Sequence, residues 1–98
     1  MDTRWQSILQ NLPDQRLARC WDLEQHRLRP ERLDAYLGVA STGERHLAQF
    51  LASVWCGPRD HRCQPGGPWH FDFIMAMGTL EGSFRRVVFE WLERPYFP

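Results

Sequence analysis

Lysine is absent from the chain. Its twelve basic residues are all arginines, and twelve acidic residues balance them to a formal net charge of zero. A chain without excess positive charge lacks the general electrostatic attraction that draws proteins to nucleic acid or to acidic membranes. Long apolar runs are missing too: no stretch of about eighteen apolar residues occurs, so we expect no membrane-spanning helix. Nucleic acid and membranes are therefore disfavoured as partners.

Cysteine is scarce and odd in number, with three residues in the chain. The segment from Met1 to Leu12 is amphipathic rather than uniformly apolar, so we expect no secretory leader. A framework of disulfides needs an even number of cysteines and an oxidising compartment. The sequence predicts a reduced protein of the cytoplasm.

Catalytic signatures are also missing. No Ser or Cys lies in a strained-turn motif such as G-x-S-x-G. The available bases are His26, His46, His61 and His70. Asp60 and Asp72 could form an acid–base group with the last two only if the loop between them folds back. We therefore expect no enzymatic activity and no cofactor.

Apolar residues are plentiful by contrast. The 98 residues are 43% hydrophobic and include five tryptophans, which is enough to bury a core within one domain. The strongest pattern lies in residues 42–56, where apolar side chains recur at i, i+3, i+4, i+7 and i+8: Leu47, Phe50, Leu51, Val54 and Trp55. Ser41 and Glu44 have the spacing of a capping box, and Gly57-Pro58 supplies a stop. We predict a central helix here.

Shorter patterns of the same kind predict the remaining helices. The first has Asp2 or Thr3 as its cap and ends at Pro13. The second runs from a cap at Asp14 to about Leu28, and the third begins at Pro30 and closes at Gly38. Their predicted inward residues are Trp5, Ile8, Leu9, Leu12, Leu17, Cys20, Trp21, Leu28, Leu33, Tyr36 and Leu37.

Two more helices follow the central one. Asp72 caps a short fifth helix and Ser83 caps a sixth, which ends at Arg94-Pro95. Their predicted inward residues are Phe73, Ile74, Met77, Leu80, Phe84, Val87, Val88, Trp91 and Leu92. The prediction for residues 1–98 is a single all-α domain, a compact bundle of five or six short helices around helix 42–56.

Residues 57–70 interrupt the helices with a segment rich in Pro and Gly, which we expect to be a surface-exposed loop. It carries four zinc-ligand types in the spacing C-x4-H-x-C-x6-H: Cys56, His61, Cys63 and His70. Zinc needs about four such groups, but this spacing matches no standard finger or ribbon. A zinc-bound module is one alternative, and an arginine-rich loop with incidental Cys and His is the other.

Leu33 to Leu47 resembles a helix-turn-helix, with Arg45 available to a recognition helix. Asp34 stands where that motif usually has a small residue, and Glu44 stands where it has a buried aliphatic one. The full apolar stripe of residues 42–56 also suggests a central helix rather than one displayed to DNA. A small DNA-binding regulator is therefore an alternative function.

Arginine and aromatic residues dominate the energetics of protein interfaces. The candidate partner-binding residues lie in the loop, on the last helix and in the tail: Arg59, Arg62, Trp69, Arg85, Arg86 and Tyr96. Interspersed acids predict that most arginines are solvated or paired. Tyr96 and Phe97 belong to a tail that, as an alternative to binding a partner, folds back as a lid over the core.

Three stretches carry a resemblance: S-T-G-E-R-H-L-A-Q-F at Ser41 to Phe50, Phe71-Asp72-Phe73, and W-L-E-R-P-Y-F-P at the end. With Leu17 to Leu28 they resemble small uncharacterised proteobacterial proteins of plasmids, integrative elements and phages. The shared motifs are structural, and no activity comes with them. The loop is longer and richer in Cys and His than in those proteins.

Small proteins of mobile elements often act by occupying a surface of a host complex, and anti-CRISPR inhibitors are one such group. From the absence of a catalytic constellation and the exposed loop, we expect a non-enzymatic protein-binding module that acts by steric occupancy, a monomer or weak dimer whose partner is a host protein complex. An anti-CRISPR-type inhibitor is one form of this expectation, by analogy of size and context. Because the chain is not acidic, mimicry of DNA is disfavoured.

Overall fold

The computed structural model describes residues 3–57 and 59–98. In that part of the chain it contains six α-helices and one two-stranded antiparallel hairpin. The elements are α1 (Thr3–Gln10), α2 (Gln15–Ala18), β1 (Trp21–Asp22), β2 (Arg27–Leu28), α3 (Pro30–Val39), α4 (Thr42–Cys56), α5 (Phe73–Thr79) and α6 (Gly82–Glu93). A 3-10 turn, His61–Cys63, lies between α4 and α5. The prediction of a small all-α bundle is confirmed.

Helix α4 is the centre of the fold, as its apolar stripe predicts. Ser41 Oγ accepts a hydrogen bond from the backbone N–H of Glu44, and the Glu44 side chain accepts one from the N–H of Ser41, which completes the capping box. At its other end Gly57 adopts a φ of +83°, a conformation that glycine tolerates best. The helix packs against α3, α5, α6 and the 3-10 turn. Of the predicted stripe, only Trp55 remains half-buried.

The predicted second helix is wrong beyond its first turn. Asp14 caps α2 as expected, but α2 ends at Ala18 and the chain then forms the β1–β2 hairpin. Local hydrogen bonds favour the turn: the Asp22 carboxylate accepts from the N–H of Gln25 and from the Arg29 guanidinium. The side chains predicted to be buried here still are, since Trp21 and Leu28 face each other across the two strands.

Three other boundaries differ from the predictions. Helix α1 begins at Thr3, and the predicted cap at Asp2 lies outside the described residues. Helix α3 continues one residue past Gly38. Helix α6 begins at Gly82, so Ser83 is inside it and is not its cap. Asp72, by contrast, caps α5 through the N–H of Met75, as predicted.

The segment after α4 is far more ordered than a surface loop. Cys63 and Trp69 are buried, whereas Arg59, His61, residues 64–66 and Pro68 are exposed, so the predicted surface-exposed loop 57–70 lies only partly on the surface. The N–H of Trp69 donates to the carbonyl of Arg62, and the chain between them turns so tightly that a Cβ on Gly67 would lie 2.3 Å from that oxygen. Glycine is required at this position because any larger residue would push the two backbone segments apart.

Two aromatic clusters fill opposite parts of the core. The first joins α1, the hairpin and α4 through Trp5, Trp21 and Trp55, whose ring centroids are 5.4–6.3 Å apart. The second surrounds Phe50 near the C-terminal tail and opens onto the surface. No helix in the described part of the chain is long and apolar enough to cross a membrane.

Candidate binding groove

A groove of about 460 Å³ opens beside the second aromatic cluster. Its floor comes from α4, one wall from the segment after the 3-10 turn and the start of α5, and the other wall from α6 and the tail. The lining residues are Phe50, Ser53, Val54, Cys63, Gln64, Pro65, His70, Phe71, Phe73, Val88, Trp91, Leu92 and Phe97. The volume falls within the range of ligand sites in proteins. We call this site the apolar groove.

Edge-to-face aromatic contacts shape the groove. The Phe50 ring lies 5.2 Å from Phe71 and 5.6 Å from Trp91, and Trp91 lies 5.7 Å from Phe97, each pair steeply inclined. Trp91 Nε1 donates a hydrogen bond of 2.8 Å to the carbonyl of Tyr96, which holds the tail against α6. The Arg4 guanidinium covers the Tyr96 ring at 4.1 Å. The tail is therefore a fixed wall of the groove.

The mouth of the groove exposes large apolar side chains to solvent. Phe73 is 45% exposed, Leu92 43% and Phe97 63%. Helices α5 and α6 expose three more on their outer surfaces: Ile74, Met75 and Phe89. Large exposed apolar patches mark interaction sites, whereas apolar side chains that are exposed singly are common on any protein surface. The prediction that Phe73, Ile74 and Leu92 point inward is wrong.

One end of the groove is polar. His70 Nδ1 lies 3.0 Å from the carbonyl oxygen of Cys63, and Gln64 flanks it on the segment after the 3-10 turn. Ser53 Oγ donates to the carbonyl of Trp69, which is 3.2 Å away. Among the described lining residues none is Asp, Glu or Arg. The site is thus an aromatic slot whose described lining also includes the hydrogen-bonding side chains of Ser53, Gln64 and His70.

The four candidate zinc ligands do not converge. His61 lies on the surface beside Asp60, with 89% of its side chain exposed, whereas Cys63 is buried. Burial raises the pKa of the Cys56 thiol to about 12 and also raises the pKa of Cys63. Zinc binds the thiolate, which both environments disfavour. Within residues 3–57 and 59–98 no three His, Cys, Asp or Glu side chains are placed to hold a metal ion.

Two predicted partner-binding residues hold the loop together instead. Trp69 is fully buried, and its Nε1 donates a 2.9 Å hydrogen bond to Asp34 on α3, which corrects its assignment as a contact residue. The Arg62 guanidinium stacks over the Trp69 ring at 3.9 Å and is ion-paired with Asp60 at 2.8 Å. The Arg62 side chain bonds hold the pKa of the Asp60 carboxyl at about 2.

The other four candidates lie on the surface, in different surroundings. Arg59 and Arg86 are exposed, and Arg86 lines a shallow depression on the outer side of α6. Arg85 donates to the carbonyls of Leu80 and Met77, at 3.1 and 3.0 Å, and so caps the C-terminal end of α5. Tyr96 is half-buried in the tail. None of the four lines the apolar groove.

Helix α4 is poorly placed to be a recognition helix. Arg45 is exposed, but six residues of α4 are buried and the helix packs against neighbours on several sides. Asp34, which departs from the helix-turn-helix pattern, is the acceptor for Trp69 Nε1. Helices α3 and α4 therefore pack together as part of the core, and Asp34 on α3 also holds Trp69 of the following segment by a hydrogen bond.

In the part of the chain that the structure describes, His46 and Thr79 bring an imidazole and a hydroxyl into contact. His46 Nδ1 lies 2.6 Å from Thr79 Oγ1, and burial lowers the pKa of His46. The same hydroxyl lies within hydrogen-bond distance of the carbonyls of Met75 and Ala76, as threonine at the end of a helix commonly does. This contact ties α5 to α4.

Sequence patterns alone did not identify the apolar groove. The sequence did contain a signal for exposed apolar surface, because α5 and α6 have more apolar residues than one buried face needs. Helix α5 contains no charged residue, and α6 has Phe89 and Leu92 in addition to its buried side. Comparisons of the chain with protein-family models, curated proteins and solved structures gave no match.

Proposed function

We propose that the protein is a non-enzymatic binding module that attaches to a host protein complex through the apolar groove and blocks it sterically. One observation carries the proposal: an aromatic slot of about 460 Å³ is open to solvent and its described lining bears no Asp, Glu or Arg. Water-exposed apolar side chains gain free energy when a partner covers them.

The chemistry of the groove favours a protein over DNA or RNA. Nucleic acid binding relies on cations that neutralise phosphates, whereas this chain has no net charge and its groove presents aromatic faces without flanking arginines in the lining. Protein interfaces have the opposite composition, with aromatic anchors in a core depleted of charge. The odd number of cysteines favours a cytoplasmic setting. By analogy of size and context with proteins of mobile elements, the proposed target is a bacterial defence complex, as for an anti-CRISPR-type inhibitor.

Two substitutions of the same chemical kind test the groove. Leu92→Glu places a charge at its mouth, while Val39→Glu places one at an exposed apolar position that does not line it. Tagged wild-type protein and both variants are incubated with proteobacterial host lysate, and bound proteins are quantified by mass spectrometry. We expect one stoichiometric partner that wild type and Val39→Glu retain and Leu92→Glu loses at least tenfold.

Two results would overturn the proposal: no stoichiometric partner for the wild type, or equal capture by both variants. Phage-plating assays in a CRISPR-proficient host then test the defence target. Expression of the wild type should restore plating and Leu92→Glu should not. Unchanged plating with the wild type removes the anti-CRISPR form of the proposal.

A further inference from the structure

Two of the three cysteines lie next to each other at the end of α4. All three thiols are free: Cys20 is buried beside Arg16 of α2, Cys56 is the last residue of α4, and Cys63 is the last residue of the 3-10 turn. A side-chain hydrogen bond joins the thiols of Cys56 and Cys63. Burial raises the pKa of both, and the bond adds to the rise at Cys56 and opposes it at Cys63, as expected when Cys56 is the donor.

Separate contacts place the Cys63 sulfur on the last turn of α4. Cys63 Sγ lies 3.9 Å from the carbonyl oxygen of Ala52. In an α-helix that carbonyl accepts from the N–H four residues later, which is the N–H of Cys56. The Ser53 side chain, on the same turn, also hydrogen-bonds Cys63. The turn that carries Cys56 is therefore the turn that holds the Cys63 sulfur.

The backbone between the two cysteines folds back on α4. The N–H of Asp60 donates to the carbonyl of Gly57 at 3.4 Å, and the N–H of Cys63 donates to the carbonyl of Asp60 at 2.9 Å. Because the fold already holds the two ends of this segment together, a bond between them costs little further chain entropy. What remains is the approach of the two sulfurs from hydrogen-bond contact to a bond of about 2.0 Å.

We propose that Cys56 and Cys63 form a disulfide when the protein meets a small-molecule disulfide such as oxidised glutathione, and that this bond locks the segment after α4 in place. Cys63 lines the apolar groove and the residues after it form one wall, so the bond fixes that wall to the floor. Disulfides of cytosolic proteins are mostly transient and redox-sensing. The inference does not depend on the proposed function, since it concerns the wall whatever binds there.

The reaction consists of two thiol–disulfide exchanges. Cys56 is the less buried thiol, so its thiolate attacks first, bonds to one sulfur of oxidised glutathione and releases one glutathione thiolate. The Cys63 thiolate then attacks the Cys56 sulfur and displaces the second glutathione. The protein loses two electrons and two protons, and the two glutathione thiols gain them. Because both cysteines have a raised pKa, the reaction is slow and is followed over hours.

Peptide mapping identifies the bond. Folded protein is incubated with oxidised or with reduced glutathione, its remaining thiols are alkylated, and it is cut with trypsin, which cleaves after arginine. Arg59 and Arg62 lie between the two cysteines, so the reduced protein gives peptides 46–59 and 63–85 separately. We expect oxidation to join these two peptides. No joined pair, a different pair, or a product that stops at bound glutathione or at a covalent dimer would overturn the inference.

A comparison of the folded and unfolded chains tests the role of the fold. The equilibrium constant for disulfide formation is measured in mixtures of reduced and oxidised glutathione, with and without concentrated urea. The fold should favour the bond at least tenfold over the unfolded chain, and by the same linkage oxidation should raise the midpoint of thermal unfolding by roughly 5–15 °C. Equal constants, or a midpoint that oxidation leaves unchanged or lowers, would overturn the lock.

Variants separate the pair from the third cysteine. Cys56→Ala should lose both the joined peptides and the rise in the unfolding midpoint, whereas Cys20→Ala should keep them, because the Cys20 thiol contacts Arg16 instead. If Cys20→Ala fails to fold, alkylation of peptide 20–27 in the oxidised wild type still shows that Cys20 takes no part. A rise in the midpoint that persists in Cys56→Ala would assign the effect to another site and contradict the proposal.

Discussion

Trp69 shows how single residues convert a Pro- and Gly-rich segment into a wall of the groove. Its Nε1 donates to Asp34 on α3, Arg62 covers its ring, and its carbonyl accepts from Ser53 on α4. The contacts to Asp34 and Ser53 join α3 and α4 to the segment, and the Arg62 contact lies within the segment itself. The spacing of glycines and prolines predicts a break in helix, but it contains no information about these distant partners.

Replacing Asp34 tests this anchor. Asp34→Ala removes the acceptor and leaves a buried indole N–H unsatisfied, which should lower the free energy of unfolding by about 1–2 kcal/mol. Asp34→Asn is the control, because its amide oxygen still accepts and should restore most of the loss. Urea denaturation followed by circular dichroism measures both. Equal stability of Asp34→Ala and the wild type would show that the hydrogen bond contributes nothing.

At the scale of elements, sequence predicts α4 well and residues 15–28 poorly. Helix α4 has a repeated apolar stripe and a capping box, so local and tertiary preferences agree. Residues 15–28 carry an apolar pattern compatible with a helix, but the Asp22 side chain bonds favour a turn, and His26 adopts a φ of +52° within it.

The apolar groove could not be predicted because it depends on how α5 and α6 are rotated. An apolar pattern shows which face of a helix packs against the core. When a short helix is apolar on most sides, the pattern does not show which of those sides is buried. In the fold, Ala76 of α5 and Leu80 just after its end face the core, which leaves Phe73 and Ile74 outside. Sequence predicted that α5 and α6 exist and that Leu80 and Val88 are buried, but it missed the burial of Ala76 and the exposure of Phe73, Ile74 and Leu92.

Substitutions at Arg85 and at its neighbour Arg86 test whether the hydrogen bonds of Arg85 hold the C-terminal end of α5 in place. Arg85→Ala removes two hydrogen bonds to the last carbonyls of α5 and should destabilise that end by about 0.5–1.5 kcal/mol, while Arg86→Ala should change little. Hydrogen exchange of the α5 amides and thermal unfolding measure the effect. If both variants exchange like the wild type, the capping role is wrong. If Arg86→Ala instead loses partner capture, the outer side of α6 is part of the interface.

The whole molecule carries no net charge at neutral pH, and its best-defined ion pairs involve carboxylates near arginines. Arg16 holds the pKa of Asp14 far below its usual range, and Arg62 does the same for Asp60, at about 2. Burial lowers the pKa of His46. In each case the unfolded chain takes up the proton at a higher pH than the folded chain does.

Stability should therefore fall as the pH is lowered, in two stages. Protonation of His46 in the unfolded chain begins to lower the free energy of unfolding below about pH 6.5, and the carboxylates continue the decline from about pH 4 towards pH 2. Denaturation at a series of pH values measures the profile. Asp60→Asn, which keeps an acceptor at the cap of the 3-10 turn, should flatten the second stage. Parallel profiles for this variant and the wild type would contradict the role of Asp60.

The position of Trp91 gives the molecule a built-in optical reporter. Of the five indoles it alone lines the groove, while Trp5, Trp21 and Trp69 are enclosed in the core and Trp55 lies in the opposite aromatic cluster. A binding partner that covers the groove strips solvent from this one chromophore and leaves the other four unchanged. Occupancy can thus be followed by intrinsic emission, with no label attached to the surface under study.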